Sequence, residues 1–200
     1  MTPDPPATVY VVDDDQGVCR GLERLLRSAG YSVRIFLSAE AFLADPRDQF
    51  PSCLILDIQM PGMDGPALQE SLQPEHSPMP VVFLSGHADV ATTVRVMKCG
   101  AADLLTKPAE ADILLAAVET AVTASRKAWA VKGEEARLQE RLSALTPRER
   151  EVMAKVMTGA LNKQIAYDLG IAEKTVKIHR GQVMHKLRVN SVAELVRLFG

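Results

Sequence analysis

Leu54-Ile-Leu-Asp-Ile-Gln-Met-Pro-Gly-Met-Asp-Gly65 is the stretch that decides the fold. Its first part belongs to a short apolar run, Cys53–Asp57, that ends on a carboxylate. Such a run, bounded by turn signals and without alternation, fits a strand buried on both faces. The Pro-Gly and Asp-Gly pairs that follow are turn signals. Behind them Pro66–Leu72 has a helical pattern. One strand, one turn and one helix are thus read from a single segment.

The same unit repeats on both sides. Val9–Val12, Ser32–Phe36, Val81–Ser85 and Asp103–Thr106 read as strands. Gly17–Ala29, Ala39–Leu43, Asp89–Cys99 and a segment starting near Glu110 read as helices. Gly30 and Gly100 stand at C-cap positions. Five strand–helix repeats predict an α/β flavodoxin-like (βα)5 domain over 8–123, with a parallel sheet covered by helices on both faces. In such sheets a ligand site lies beyond the C-terminal ends of the strands.

The chain supplies chemistry at those ends. Asp13, Asp14 and Asp15 follow the first strand, Asp57 ends the third, Ser85 the fourth, and Lys107 follows the fifth. Carboxylates gathered at one sheet edge repel one another and call for a cation. Hard oxygen ligands, few in number and completed by water, suit Mg²⁺. A lysine and a hydroxyl beside them suit the oxygens of a phosphoryl group carried on a carboxylate.

These residues carry a family resemblance. Val11-Val-Asp-Asp-Asp15, Leu54 to Gly65, Leu84-Ser-Gly-His87 and Leu105-Thr-Lys-Pro108 resemble the receiver domain of bacterial two-component response regulators. The resemblance implies that Asp57 accepts phosphate from a sensor histidine kinase. It implies that Asp14 and Asp57 ligate Mg²⁺, with Asp13 acting through water and Gln59 through its main-chain carbonyl. It implies that Ser85 and Lys107 hold the phosphoryl oxygens and that the Lys107–Pro108 bond is cis. Leu104 departs from the pattern, because relatives carry an aromatic switch residue near that place. A change of Leu rotamer or a shift of the fourth helix is expected to replace it.

From Ala111 to Leu142 the helical pattern hardly stops, and Gly133 is its one weak point and candidate break. The segment 124–142 is read as a helical linker, either a spacer or a dimerising helix pair. Thr146-Pro-Arg-Glu149 then restarts the pattern with a capping box and Pro at N1. Pro147–Thr158, Asn162–Asp168, Ala172–Lys186 and Ser191–Phe199 follow as four short helices of an all-α domain over 143–200. In the third of them, Val176, Val183, Met184 and Leu187 share a core side. Lys174, Lys177, Ile178 and Gly181 share the opposite one.

Charge divides the same way. The formal net charge is −2, but residues 1–124 hold 8 Lys+Arg against 17 Asp+Glu and residues 143–200 hold 10 against 5. An acidic front and a basic rear suit different partners. Leu145-Thr-Pro-Arg-Glu-Arg-Glu-Val152, Asn162-Lys-Gln-Ile-Ala166 and Lys174-Thr-Val-Lys-Ile-His179 resemble the LuxR-type helix-turn-helix. The resemblance implies contacts to double-stranded promoter DNA from Lys163, Lys174, Thr175, Lys177, Ile178, Arg180 and Lys186. Ala172 is a poor N-cap for the recognition helix. Gly181 offers no base contact. With Gly86-His-Ala-Asp-Val90 and Val96-Met-Lys-Cys-Gly-Ala101, the whole is similar to NarL/LuxR-class regulators of the FixJ/StyR type.

The expected activity is transcription control rather than catalysis. Phosphorylation is expected to favour a homodimer on DNA, with RNA polymerase as a further partner. Two other readings stay open. One is a phosphatase-type hydrolase with Asp57 as nucleophile, although Gln59 stands where a general acid belongs. The other is a regulator indifferent to phosphate, suggested by Leu104. Cys19, Cys53 and Cys99 have no CxxC spacing and read as reduced thiols. With no signal-like start and no apolar run of about 20 residues, the expected location is cytoplasmic, with no membrane partner.

Overall fold

The computed structural model describes residues 7–46, 51–72, 79–86 and 90–199. The chain divides into two compact units, Met1–Val131 and Lys132–Gly200. In the first, β1 (Thr8–Val12), β2 (Ser32–Phe36), β3 (Ser52–Asp57), β4 (Val81–Ser85) and β5 (Asp103–Thr106) form one parallel sheet in the order β2-β1-β3-β4-β5. The helices are α1 (Gln16–Ser28), α2 (Ala39–Ala44), α3 (Gly65–Ser71), α4 (Val90–Lys98) and α5 (Ala111–Ser143). The flavodoxin-like expectation holds in strand number, direction and helix placement. Asp89, expected in α4, lies outside the described residues, as do His87 and Ala88.

Period-two geometry divides the strand side chains between two cores. Val9, Val11, Cys53, Ile55, Val82 and Leu84 pack with Cys19, Leu22 and Leu26 of α1 and with Leu114, Val118 and Val122 of α5. Tyr10, Val12, Leu54, Leu56 and Phe83 pack on the other face with Phe42 of α2, Leu68 of α3 and Val96 of α4. β1, β3 and β4 are almost wholly buried. β2 and β5 are not, because each is a sheet edge with one neighbour and is only half covered.

The caps explain where helices start. Asp15 accepts from the N–H groups of Gly17 at 2.6 Å and Val18 at 3.2 Å, so it opens α1. Those bonds hold its carboxyl below the usual carboxylate range. Asp64 accepts from Ala67 N at 2.7 Å and opens α3. The expected break at Gly133 does not occur, and α5 runs unbroken to Ser143. One glycine costs a helix interior about 1 kcal/mol relative to Ala, and the helix formers around it, Lys132, Glu134, Glu135, Ala136 and Arg137, offset that.

In the second unit α6 (Pro147–Met157), α7 (Asn162–Leu169), α8 (Glu173–Leu187) and α9 (Val192–Phe199) follow the end of α5. Val152, Val156, Ile165, Val176, Val183, Leu187 and Leu195 form their core. The capping box at Thr146 is complete: Glu149 N donates to Thr146 Oγ1 at 3.3 Å, and Thr146 N donates to Glu149 Oε2 at 2.7 Å. Gly170, at φ 63, ends α7 in the left-handed conformation that the tight α7–α8 turn requires. α8 starts at Ala172 with no side-chain cap, in keeping with its sequence. Among the described residues no helix is long and apolar enough to cross a membrane.

Candidate functional site

The parallel register brings the ends of β1, β3 and β4 together, and the loop after β5 completes the pocket. Asp13 is 1% exposed, Asp57 8% and Ser85 1%. Lys107 reaches both carboxylates: its Nζ lies 2.6 Å from Asp13 Oδ2 and 2.9 Å from Asp57 Oδ2. Its backbone N–H donates to Ser85 O at 2.7 Å, which fixes the lysine beside β4. The Lys107–Pro108 peptide is cis. Asp14 is exposed at the mouth. One oxygen each of Asp13, Asp14 and Asp57 lie within 4.8 Å of one another.

The electrostatics follow from burial. Desolvation pushes the Asp13 carboxyl up, against hydrogen bonds from Lys107 and from Asp15 N. Burial alone pulls the Lys107 ammonium down, yet its bonds to Asp13 and then Asp57 outweigh this and leave it raised. A single ammonium therefore serves two largely buried carboxylates, and a third, Asp14, stands at the rim. The donor set is all hard oxygen and carries excess negative charge, so it fits a small divalent cation.

The β3–α3 turn supports Asp57 in a way the sequence alone does not assign. Gly65 N donates to Ile58 O at 3.0 Å. A Cβ added at Gly65 meets Asp57 O at 2.2 Å and Phe83 Cε1 at 3.0 Å. Only glycine lets α3 start that close to Asp57. The Asp-Gly pair was visible as a turn, but its partner across the turn was not. Gln59 N lies 3.4 Å from Asp57 Oδ1. Leu104, beside Phe83 in the β4–β5 register, is half-buried against the cluster that contains Val96 of α4.

The second site is the outer face of α8. Val176, Val183 and Leu187 are buried, and Met184 packs against the same core. Lys174, Lys177, Ile178 and Gly181 are exposed together, as their spacing predicts. Lys163 is exposed on α7 and Thr175 is half-buried. Two of the expected DNA residues point elsewhere. Lys186 Nζ binds Glu149 Oε2 at 2.7 Å and Ala144 O at 3.2 Å, so it neutralises a buried carboxylate inside the unit. Arg180 Nη1 donates to Asn162 Oδ1 at 3.0 Å and ties α8 to α7. Helical spacing distinguishes inner from outer faces, but it does not reveal which carboxylate a long side chain will find.

Comparison with known proteins covers both units. Residues 9–119 match the response regulator receiver domain, and residues 143–199 match the bacterial regulatory proteins of the luxR family. Nodulation protein W of Bradyrhizobium diazoefficiens is 43% identical over 192 residues, covering 96% of this chain and 85% of that protein. Transcriptional regulatory protein FixJ of the same organism is 40% identical over 191 residues, covering 95% and 93%. Among solved structures, response regulator StyR is 45% identical with a TM-score of 0.89, covering 97% of this chain and 98% of its own. Full-length FixJ from B. japonicum is 38% identical with a TM-score of 0.59, covering 96% and 95%. The two family matches fall one on each unit, the relatives span nearly the whole chain, and the chain belongs to the NarL/LuxR class of response regulators.

Proposed function

We propose that the chain is a transcription regulator switched by phosphorylation of Asp57, with a receiver over 8–123, a helical linker over 124–142 and a DNA-binding domain over 143–200. The observation that carries this reading is the position of Lys107 Nζ, within 2.9 Å of both Asp13 and Asp57 at the open end of the sheet. In the reaction an Asp57 carboxylate oxygen attacks the phosphorus of a phosphohistidine on the sensor kinase. The new O–P bond forms as the P–N bond breaks, and the electron pair leaves with the imidazole. Lys107 then follows the charge from the carboxylate to the phosphoryl oxygens, and Ser85 donates to one of them. Asp13, Asp14, Asp57 and the main-chain carbonyl of Gln59 would hold Mg²⁺, which when bound supplies positive charge against the phosphoryl oxygens. The protein is a phosphoacceptor rather than a turnover enzyme.

Phosphate acts by making different contacts in two pre-existing states. Leu104 shares an apolar cluster with Val96, the one side chain that α4 buries fully, and this supports α4 as the element that shifts in place of an aromatic switch. The activated form dimerises and sets two copies of α8 on promoter half-sites about one helical turn, or a multiple of it, apart. Lys163, Lys174, Thr175, Lys177 and Ile178 form the contact set, and RNA polymerase is the downstream partner.

Asp57→Asn tests the core of the reading. Acetyl phosphate is expected to label the wild-type protein with one phosphate and the variant with none. Beryllofluoride with Mg²⁺ is expected to move only the wild type to a dimer on gel filtration. Stoichiometric labelling of the variant rules out the acceptor assignment.

A further inference from the structure

The cations of the second unit fall into two sets. Arg148, Arg150, Lys155, Arg180 and Lys186 are engaged with acceptors inside the unit. Lys163, Lys174, Arg188 and Arg197 make no side-chain hydrogen bond or ion pair among the described residues, and Lys177 only a loose one at 3.5 Å. Three members of the second set, Lys163, Lys174 and Lys177, already belong to the proposed DNA contacts. Arg188 does not, and its backbone sets it apart.

Arg188 follows α8 at φ 55 and ψ 44 and is exposed. Among the described residues it is the one non-glycine with positive φ. Its N–H bonds to His185 O at 3.1 Å, and Val189 N bonds to Met184 O at 3.0 Å, so this is a left-handed helix stop. Glycine takes that place without strain, and Asn at little cost. An arginine there keeps a strained backbone while its guanidinium does nothing for the fold. Such an outlier points to a role outside the folding of the unit.

The length of α8 says where that role lies. Its 15 residues span about 22 Å at 1.5 Å per residue. The major groove is about 12 Å wide. With Lys174, Lys177 and Ile178 turned to the base edges, an α8 that crosses the groove overruns it and carries its far end to the phosphates of the wall. The exposed stripe Lys174, Lys177, Gly181 and His185 runs to that end, and Arg188 stands just beyond it.

We propose that Arg188, held in the left-handed conformation at the end of α8, clamps a DNA phosphate at the rim of the groove that α8 enters. The clamp fixes the position of α8 and adds affinity without reading sequence. It rests on the DNA-binding function proposed for α8 and adds one residue that helical periodicity does not identify.

The test uses the full-length protein with beryllofluoride and Mg²⁺, titrated onto mixed-sequence duplex DNA at several salt concentrations. Arg188→Gly is expected to keep or raise the melting temperature while weakening binding. Removing one cation from one phosphate lowers the slope of log affinity against log salt by about 0.9 per protomer, so the wild-type advantage shrinks about 3-fold between 50 and 200 mM salt for each phosphate left unpaired. Arg188→Lys is expected to keep the wild-type slope. An unchanged slope in Arg188→Gly overturns the clamp. A fall in both melting temperature and affinity also overturns it, because Arg188 is then structural. Lys177→Ala in the same titration separates the two claims. If it weakens binding while Arg188→Gly does not, the clamp alone fails; if the wild type does not bind duplex DNA, the DNA-binding function fails with it.

Discussion

Lys107 and Lys177 carry the same charge in opposite settings. At the strand ends the Lys107 side chain is 21% exposed and touches two carboxylates whose side chains are 2% and 10% exposed. On α8 Lys177 is 66% exposed, and its nearest partner, Glu173, is 3.5 Å away and itself half exposed. In the pocket, charge is concentrated and partly compensated before any ligand arrives. On α8 it is left in water, ready to exchange solvent for phosphate. The first arrangement suits a small, highly charged group at one point, and the second suits a long polyanion. The receiver therefore builds its function into its folding energy, while the DNA-binding unit keeps the two apart.

The contrast between the two lysines makes graded demands. Removing the pocket cation with Lys107→Met leaves two buried carboxylates uncompensated. Breaking a buried pair from one side costs several kcal/mol, and here, with the lysine partly exposed, about 3 kcal/mol is expected. Urea denaturation of the receiver without Mg²⁺ measures it, and added Mg²⁺ is expected to restore part of the stability. A variant as stable as the wild type refutes the claim that this lysine compensates the pocket.

Gly65→Ala attacks the same pocket through geometry rather than charge. Its Cβ would lie 2.2 Å from Asp57 O, so the start of α3 or the backbone at Asp57 must move. Overpacking of this kind costs about 2 kcal/mol, and acetyl phosphate labelling is expected to slow in parallel. Normal labelling with normal stability would mean that the turn relaxes freely.

Glu149 tests whether the second unit has any pocket-like charge of its own. Its side chain is 6% exposed. The Lys186 ammonium, and then Thr146 N–H, hold its carboxyl below the ordinary value of 4.5. A carboxyl depressed in the folded state binds fewer protons there than in the unfolded chain. Its stabilisation is thus complete above about pH 4.5 and is lost as pH falls through the folded value. Glu149→Gln is expected to flatten the acid side of the thermal stability curve. Thr146→Ala, which removes the other half of the capping box, is expected to cost about 1 kcal/mol.

Lys177→Ala makes the smallest demand on the fold. Its stability should stay within about 0.5 kcal/mol of wild type, while affinity for duplex DNA falls and the salt slope drops by about 0.9 per protomer if the lysine pairs with a phosphate. Weakening confined to particular sequences would instead make Lys177 a base reader. A stability change as large as that of Lys107→Met would erase the contrast between the two lysines.

Most elements were legible because the determinants are local. The central strands are buried on both faces and appear as unbroken apolar runs, and Asp15, Asp64 and Thr146 stand where helix starts need them. The pocket was legible for a less local reason: parallel strands deliver their C-terminal residues to one edge whatever their order. What stayed hidden depends on neighbours distant in sequence. Lys186 matches the basic pattern of its helix but is claimed by Glu149 from α6. Gly65 looks like any turn glycine until Asp57 O is placed 2.2 Å from its absent side chain. β5 reads as a core strand, yet as a sheet edge it is only half covered.

α4 buries a single side chain fully, Val96, over nine residues. Polar ties hold it as well, among them Arg95 Nη2 to Glu70 Oε1 at 2.7 Å, and Gln69 Nε2 to Cys99 O just past its end at 3.2 Å. A helix with one fully buried side chain is held to the sheet by less apolar contact than the strands hold one another. Its amides should exchange with solvent by local opening, at a free energy well under that of global unfolding, while those of β1 and β3 wait for the whole domain to unfold. The receiver thus carries, near the strand ends, a helix whose local opening is expected to cost less than unfolding of the sheet beneath it.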